Sequence, residues 1–429
     1  MKWMLAHSGK MDIHLKRSLV QSYRFLRKVP CFLQNWIRPL LERASRVPVI
    51  IRLKDELTAM DIGSLQKSRR LSRAKHHPLI RSVSCRVSIA NLKRLCEHDK
   101  IACIHYDRKV HTLLDVATPS IGSAAAQRSG WTGKGVTVAV VDTGIYPHPD
   151  LTQPVNRIIG FQDFVKHRTT PYDDNGHGTH VAGDVAGNGF QSGGTYKGPA
   201  PEANLVGVKV LDKMGAGQLS TVISGIEWCI QNRDRYGIRV ISMSLGSTAA
   251  TTWKADPVCQ AVEKAWSSGI IVVVAAGNEG PDSSTISSPG ISPSPITVGA
   301  ADTHRTIPQS DDTVADFSSR GPTIDRLVKP DIVSPGIAIT SLRSPGSYLD
   351  KIERNARVGS WYFTLSGTSM ATPIVAGTIA QILQKNPTLT PDQVKSLLKG
   401  YAVNLGYDVN IQGSGEVNVQ FLIENAGAD

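Results

Sequence analysis

From residue 136 onward the chain alternates apolar runs with stretches of helical period. The runs are Val136 to Val141, Ala203 to Leu211, Ile238 to Leu245, Ile270 to Ala275 and Ile296 to Gly299. They are nearly continuous in apolar residues, as strands buried on both faces are. Between them, apolar residues recur every three or four positions over Thr179 to Gly187, Ser220 to Tyr236, Pro257 to Ser268, Ser369 to Gln384 and Pro391 to Lys399. This period predicts helices. Strands and helices in alternation predict an α/β class with a mostly parallel central sheet and helices on both faces. In such a sheet the chemistry gathers at the carboxyl ends of the strands.

The front of the chain carries a different pattern. The stretch VPVIIRLKD and the helical Ile89 to Leu95 predict a small α+β domain over residues 47–115. Residues 116–130, VATPSIGSAAAQRSG, are small and rich in Pro and Gly and predict a linker. That leaves 1–46 as an N-terminal extension and 131–429 as the main domain.

Charge sharpens this division. Residues 1–115 hold 24 Lys and Arg against 9 Asp and Glu, whereas the rest of the chain holds 24 against 27, so the overall charge of +12 belongs to the front. The basic residues are scattered among apolar ones and accompany no recognition motif, which argues against nucleic acid as a partner. In residues 18–44, Phe32/Leu33, Trp36/Ile37 and Leu40/Leu41 recur at helical spacing. That stripe fits packing on the protein's own core better than contact with a membrane surface. No apolar run approaches the length of a membrane span, the first residues lack the apolar stretch of a signal peptide, and the six cysteines show no CxxC spacing. A cytoplasmic setting is expected.

Four residues draw attention at strand ends or helix starts. Asp142 ends the run GVTVAVVDTG, and by itself reads as a turn or capping aspartate. His177 and His180 lie three residues apart in NGHGTHVAGD, behind the acidic pair Asp173 and Asp174. A zinc site using Asp184 as third ligand is one reading of them, but the spacing is not that of an HExxH helix. In the other reading His177 stands at the helix entrance and His180 points into packed structure. Ser369, in SGTSMATPIVAG, opens a long apolar helix with Thr368 before it as the cap. Asn278 closes the run IIVVVAAGNEGP, where turn chemistry would also explain it.

Together these residues supply a serine nucleophile, a histidine base and a carboxylate to orient the base, with Asn278 and the Ser369 N–H as oxyanion donors. They occur in the chain order Asp, His, Ser. The motifs VVDTGIYPHPDL, NGHGTHVAGDVAG, AAGNEGP and SGTSMATPIVAG resemble those of the subtilisin family of serine proteases, over about residues 117–402. More closely, PYDDNGHGTH, ADFSSRGP and the long basic front resemble the AprX-type intracellular subtilisins of bacilli.

The resemblance implies a three-layer subtilisin-like fold and an endopeptidase acting on polypeptides. It implies that Ser244, Leu245 and Gly246 form an edge pairing with an extended substrate, faced by Gly217 to Leu219, with Glu279 near the floor of the pocket for the residue before the scissile bond. It also implies that residues 47–115 act as a propeptide, an intramolecular inhibitor removed by cleavage within HTLLDVATPSIGS. No cofactor is expected for the chemistry. No metal site is assigned: AGNGFQSGGTYKGPAP does not reproduce the calcium loop of secreted relatives, Asp150 is the one matching ligand, and calcium bound there would serve stability rather than chemistry. An esterase or a catalytically silent scaffold on the same fold remains the alternative.

Overall fold

The computed structural model describes residues 3, 7–11, 15, 16, 19, 20, 23, 31–54, 72–77, 82–106 and 114–424. The chain divides into two compact units, Met1–Val110 and His111–Asp429.

In the first unit, β1 (Arg46–Leu53), β2 (Ser72–His77), β3 (Ser82–Ser88) and β4 (Ile101–Tyr106) form an antiparallel sheet in the order β2-β3-β1-β4. Along β1 the residues Val47, Val49, Ile51 and Leu53 are buried at the two-residue period of a half-covered strand. Two helices accompany the sheet, α1 (Cys31–Ala44) and α2 (Ile89–Cys96). The Ser88 hydroxyl caps α2 by accepting from the Asn91 N–H, and Ile89, Leu92, Leu95 and Cys96 are buried.

The described residues of the stretch 1–46 fall within this first unit. Met11, Leu15, Leu19 and Tyr23 are buried in the same core as the sheet. Met11 reaches the sheet itself, bridging Ile104 of β4 in parallel. Glu42 fastens this layer by accepting from the Tyr23 hydroxyl at 2.8 Å and from Lys93 at 2.7 Å. Leu41 packs against the core, while the side chains of Phe32, Leu33, Trp36, Ile37 and Leu40 lie outside the described residues.

The second unit opens with α3 (Leu114–Ser120) and α4 (Ser123–Arg128). The expected linker is therefore folded. Ala117, Ile121 and Ala126 join the core, Thr118 donates to the Lys197 carbonyl at 2.7 Å, and Ser123 donates to Gln381 at 2.5 Å. Small residues that read as flexible are small here because they pack closely.

The central sheet holds β5 (Thr137–Asp142), β6 (Ile158–Asp163), β7 (Asn204–Lys209), β8 (Ile238–Met243), β9 (Ile271–Ala275), β10 (Ile296–Asp302) and β11 (Thr313–Val314) in the order β11-β10-β9-β8-β5-β7-β6. A further strand, β12 (Ile332–Pro335), pairs with β10. Only β11 runs antiparallel to its neighbour among these described strands. The chain fills one side of β5 with β6 and β7, then crosses to the other with β8. This places a topological switch at β5, where the carboxyl ends of parallel strands leave a crevice.

Helices α5 (His177–Ala186), α6 (Leu219–Gln231), α7 (Pro257–Ser267), α8 (Thr368–Lys385) and α9 (Pro391–Gly400) complete the layers. The central α8 is buried from Met370 to Leu383, and each fully buried Ile, Val or Leu there is worth about 1.5–3 kcal/mol. Close approach to α5 requires Gly377, because a Cβ there would lie 2.7 Å from the Val185 carbonyl oxygen. A separate antiparallel sheet, in the order β13-β15-β14, is formed by β13 (Ile339–Leu342), β14 (Arg357–Val358) and β15 (Tyr362–Leu365).

Two buried carboxyls meet at the end of this unit. Asp312 and Glu416 are close neighbours, and both carboxyls are buried. Burial pushes Asp312 up to about 6, where Asp311 and Asp302 also raise it and His304 opposes them. Burial and Asp312 push Glu416 well above the usual carboxylate range. Groups with raised folded pKa contribute stability at low pH that is lost as pH rises through those values. Asp312→Asn is therefore expected to raise the thermal midpoint by about 3–6 °C at pH 8 and to change it little at pH 4, as followed by circular dichroism.

Candidate active site

Asp142 is the last residue of β5, and its carboxylate is fully buried. One oxygen, Oδ1, accepts from the Thr143 N–H at 2.7 Å and from His177 Nδ1 at 2.8 Å. The other, Oδ2, has no hydrogen-bond partner among the described residues. His177 reaches this carboxylate because it is the first residue of α5 and the helix enters very close to β5. Gly178 permits that approach, since a Cβ there would lie 2.2 Å from the Gly144 carbonyl oxygen.

The entrance of α5 is fixed by Asp173. Its buried carboxylate accepts from the N–H groups of Asn175, Gly176 and Thr179 and from the hydroxyls of Thr143 and Thr179. An acidic group at a helix N-terminus satisfies otherwise unpaired donors and complements the dipole. In the sequence Asp173 stands out only as half of an acidic pair. Its position four residues before His177, with Thr179 after it, is the signal that it anchors the helix start.

Burial works against a charged His177, but the Asp142 charge and hydrogen bond outweigh it and hold the imidazole pKa above its ordinary 6.5. Since Nδ1–H donates to an acceptor-only carboxylate, Nε2 is left as the basic nitrogen.

Ser369 and Asn278 form the second half of the site. Ser369 is the second residue of α8, where helix N–H groups have no partner within the helix. Its Oγ donates to the Ser244 carbonyl at 3.3 Å, and Ser244 Oγ donates back to the Ser369 carbonyl at 2.8 Å. Among the described residues no hydrogen bond joins His177 to Ser369.

Thr368 is not the cap that the sequence predicted. Gly367 holds that position, and Thr368 instead donates its N–H at 2.9 Å and its hydroxyl at 3.0 Å to Asn278 Oδ1. A backbone N–H must meet an oxygen, so these bonds fix the amide with its NH2 group as the free end.

His177, Ser244, Leu245, Gly246, Gly217 and Leu219 line one cleft of about 450 Å³, together with apolar Leu211, Met214, Val222 and Val258. Glu279 is exposed beside Asn278 and does not line this cleft.

The metal readings do not fit. His180 is buried inside the fold, with Nδ1 on Asp184 at 2.9 Å and Nε2 on the carbonyls of Ile339 and Phe363 at 3.1 and 3.0 Å. It ties α5 to β13 and β15, while His177 turns toward Asp142. Asp150 accepts from the Gln191 N–H at 3.0 Å and the Tyr362 hydroxyl at 2.8 Å. The adjoining loop thus offers Asp150 a donor, where a calcium site needs converging oxygens. Among the described residues no group of three or more His, Cys, Asp or Glu is placed to hold a metal, and no helix is long and apolar enough to cross a membrane.

Comparison with known proteins fits this geometry. The subtilase family profile matches residues 133–415. Serine protease AprX of Bacillus subtilis (strain 168) is 51% identical over 428 residues, covering 97% of this chain and 96% of that protein. Subtilisin E of the same organism is 39% identical over 336 residues, 77% of each chain. Among solved structures, a cold adapted subtilisin-like serine proteinase matches with a TM-score of 0.51 and 35% identity, covering 67% of this chain and 88% of that one. The S41 psychrophilic protease matches with a TM-score of 0.56 and 31% identity, covering 67% and 92%. The chain belongs to the subtilase family and is a subtilisin-type serine protease, a hydrolase of peptide bonds that needs no cofactor for catalysis.

Proposed function

We propose that this protease is an endopeptidase that acylates Ser369, with His177 as base, Asp142 as its orienting carboxylate and Asn278 as oxyanion donor. The observation that carries the reading is the 2.8 Å bond from His177 Nδ1 to the buried Asp142, at a cleft also lined by Ser244 to Gly246. An extended polypeptide pairs with that edge on one side and with Gly217 to Leu219 on the other. Apolar walls suit hydrophobic side chains.

Attack by Ser369 Oγ on the carbonyl carbon sends its proton to His177 Nε2. The bond to Ser244 is long at 3.3 Å, so a turn about χ1 frees the hydroxyl at little cost. Negative charge develops on the carbonyl oxygen and meets the Asn278 NH2 and the Ser369 N–H. The imidazolium then protonates the leaving amine, and water repeats the sequence to release the acyl group.

The reading includes self-processing of a zymogen. Residues 1–110 form a separate unit, while the segment from Leu114 is packed into the second unit. That division supports cleavage before Leu114, at the front of the expected HTLLDVATPSIGS stretch, with the released unit acting as inhibitor. The reading also keeps the protein in a reducing, cytoplasmic setting, supported by five described cysteines that all carry free thiols.

Casein is expected to be cleaved by the wild type and not by Ser369→Ala. Ester hydrolysis without casein cleavage would mark an esterase, and neither activity a silent scaffold. Asn278→Ala is expected to lose about 10²- to 10³-fold in kcat, a magnitude taken from subtilisins themselves rather than derived from these distances.

Because His177 must be neutral to accept a proton and its pKa is raised, activity is expected to fall on the acid side with a midpoint above 6.5. In Asp142→Asn the raising charge is gone, and the midpoint of the residual activity moves down. A kcat/KM profile against pH checks both.

N-terminal sequencing of the active form is expected to find a start before Leu114, whereas purified Ser369→Ala remains full length.

A further inference from the structure

A lysine lies beneath the candidate site in a place where packing alone would favour an apolar residue. Lys209 ends β7, directly beside Asp142 in the β5–β7 register, and its side chain has no solvent exposure. All three ammonium donors are used. They go to the Thr143 carbonyl at 2.5 Å, the Leu211 carbonyl at 2.8 Å and Asp174 Oδ1 at 2.9 Å. The Tyr172 ring closes a further side at 5.2 Å. Lys166 shares Asp174 through the other oxygen, at 2.6 Å.

Burying an ammonium costs several kcal/mol before its partners compensate, so a well-packed methionine would serve stability at least as well. What the charge adds is direction, because each acceptor belongs to a different segment of the site. Thr143 follows Asp142, and its hydroxyl accepts the Gly178 N–H at 2.8 Å while donating to Asp173. Asp174 lies three residues before His177. Leu211 lines the cleft and leads toward the Gly217 to Leu219 edge.

We propose that Lys209 is a positioning residue whose buried ammonium clamps the Asp142 turn, the segment entering the His177 helix and the strand leading to the substrate edge into one register. The proposal rests on the assignment of Asp142 and His177 made above. Lys209 touches neither substrate nor the reacting atoms; it acts by holding Thr143, Asp174 and Leu211. A displacement of about 1 Å in such a pair can cost about 10²-fold in rate.

The test is a double-mutant cycle on a chromogenic peptide amide, using the full chain after any self-processing. The variants are Lys209→Met, Asp142→Ala and the pair, with thermal midpoints measured alongside. Lys209→Met alone is expected to lower kcat about 10²-fold with KM changed less than about 3-fold. In the Asp142→Ala background the same change is expected to lower kcat less than about 3-fold, since the geometry it protects is already lost. Equal losses in both backgrounds, or unchanged kcat in a folded Lys209→Met, would overturn the proposal. An Asp142→Ala enzyme of full activity would instead remove the catalytic assignment itself. Should Lys209→Met not fold, Asp174→Asn leaves both carbonyl acceptors in place. It is expected to lower kcat about 5- to 10-fold, again only with Asp142 present. An unchanged kcat there overturns the proposal as well.

Discussion

A carboxylate without solvent, held 2.8 Å from an imidazole at the mouth of a cleft, is the constraint around which this molecule is organised. Desolvation makes the Asp142 charge act strongly on its neighbour, which is why the imidazole is more basic than usual despite its own burial. The same desolvation makes geometry decisive. A shift that separates the two groups leaves a buried charge without its counterpart, and among the described residues Asp142 Oδ2 has no donor of its own.

The fold supplies that geometry from several directions at once. Asp142, Lys209, Ser244 and Asn278 lie at or just beyond the carboxyl ends of β5, β7, β8 and β9, which are neighbours across the switch point of the sheet. Two buried helices then bring their N-termini to the same crevice, α5 with His177 and α8 with Ser369. Rigid strand ends set the positions, and Asp173 and Thr368 convert them into side-chain orientations through hydrogen bonds to unpaired helix-start donors and to the Asn278 amide.

Much of this was legible in the chain because the signals were strong and local. Continuous apolar runs mark β5, β7, β8 and β9 to within about two residues, whereas β6 and β12 carry no such run, and glycines beside Asp142 and His177 mark close approaches. The misses share a cause, in that tertiary pairing decides what local pattern cannot. Strand β10 continues to Asp302, past the predicted end at Gly299, because β11 and β12 pair with that extension. The helix predicted to Tyr236 breaks at Asn232, whose side chain bonds back to the Trp228 carbonyl at 3.0 Å. The alanine-rich 116–130 segment read as a linker because close packing and flexibility call for the same small residues. Lys209 sat in plain view as a charge inside the apolar run VGVKVL. Its meaning depended on partners in three other segments.

The central claim is that Ser369 is the one serine made nucleophilic by His177. Incubating the active enzyme with a serine-directed fluorophosphonate and mapping the adduct by mass spectrometry tests it most directly. One adduct per chain is expected, on the peptide containing Ser369, and none in His177→Ala. Labelling of another serine, such as Ser244 or Ser366, or an active preparation that takes no label, would contradict it.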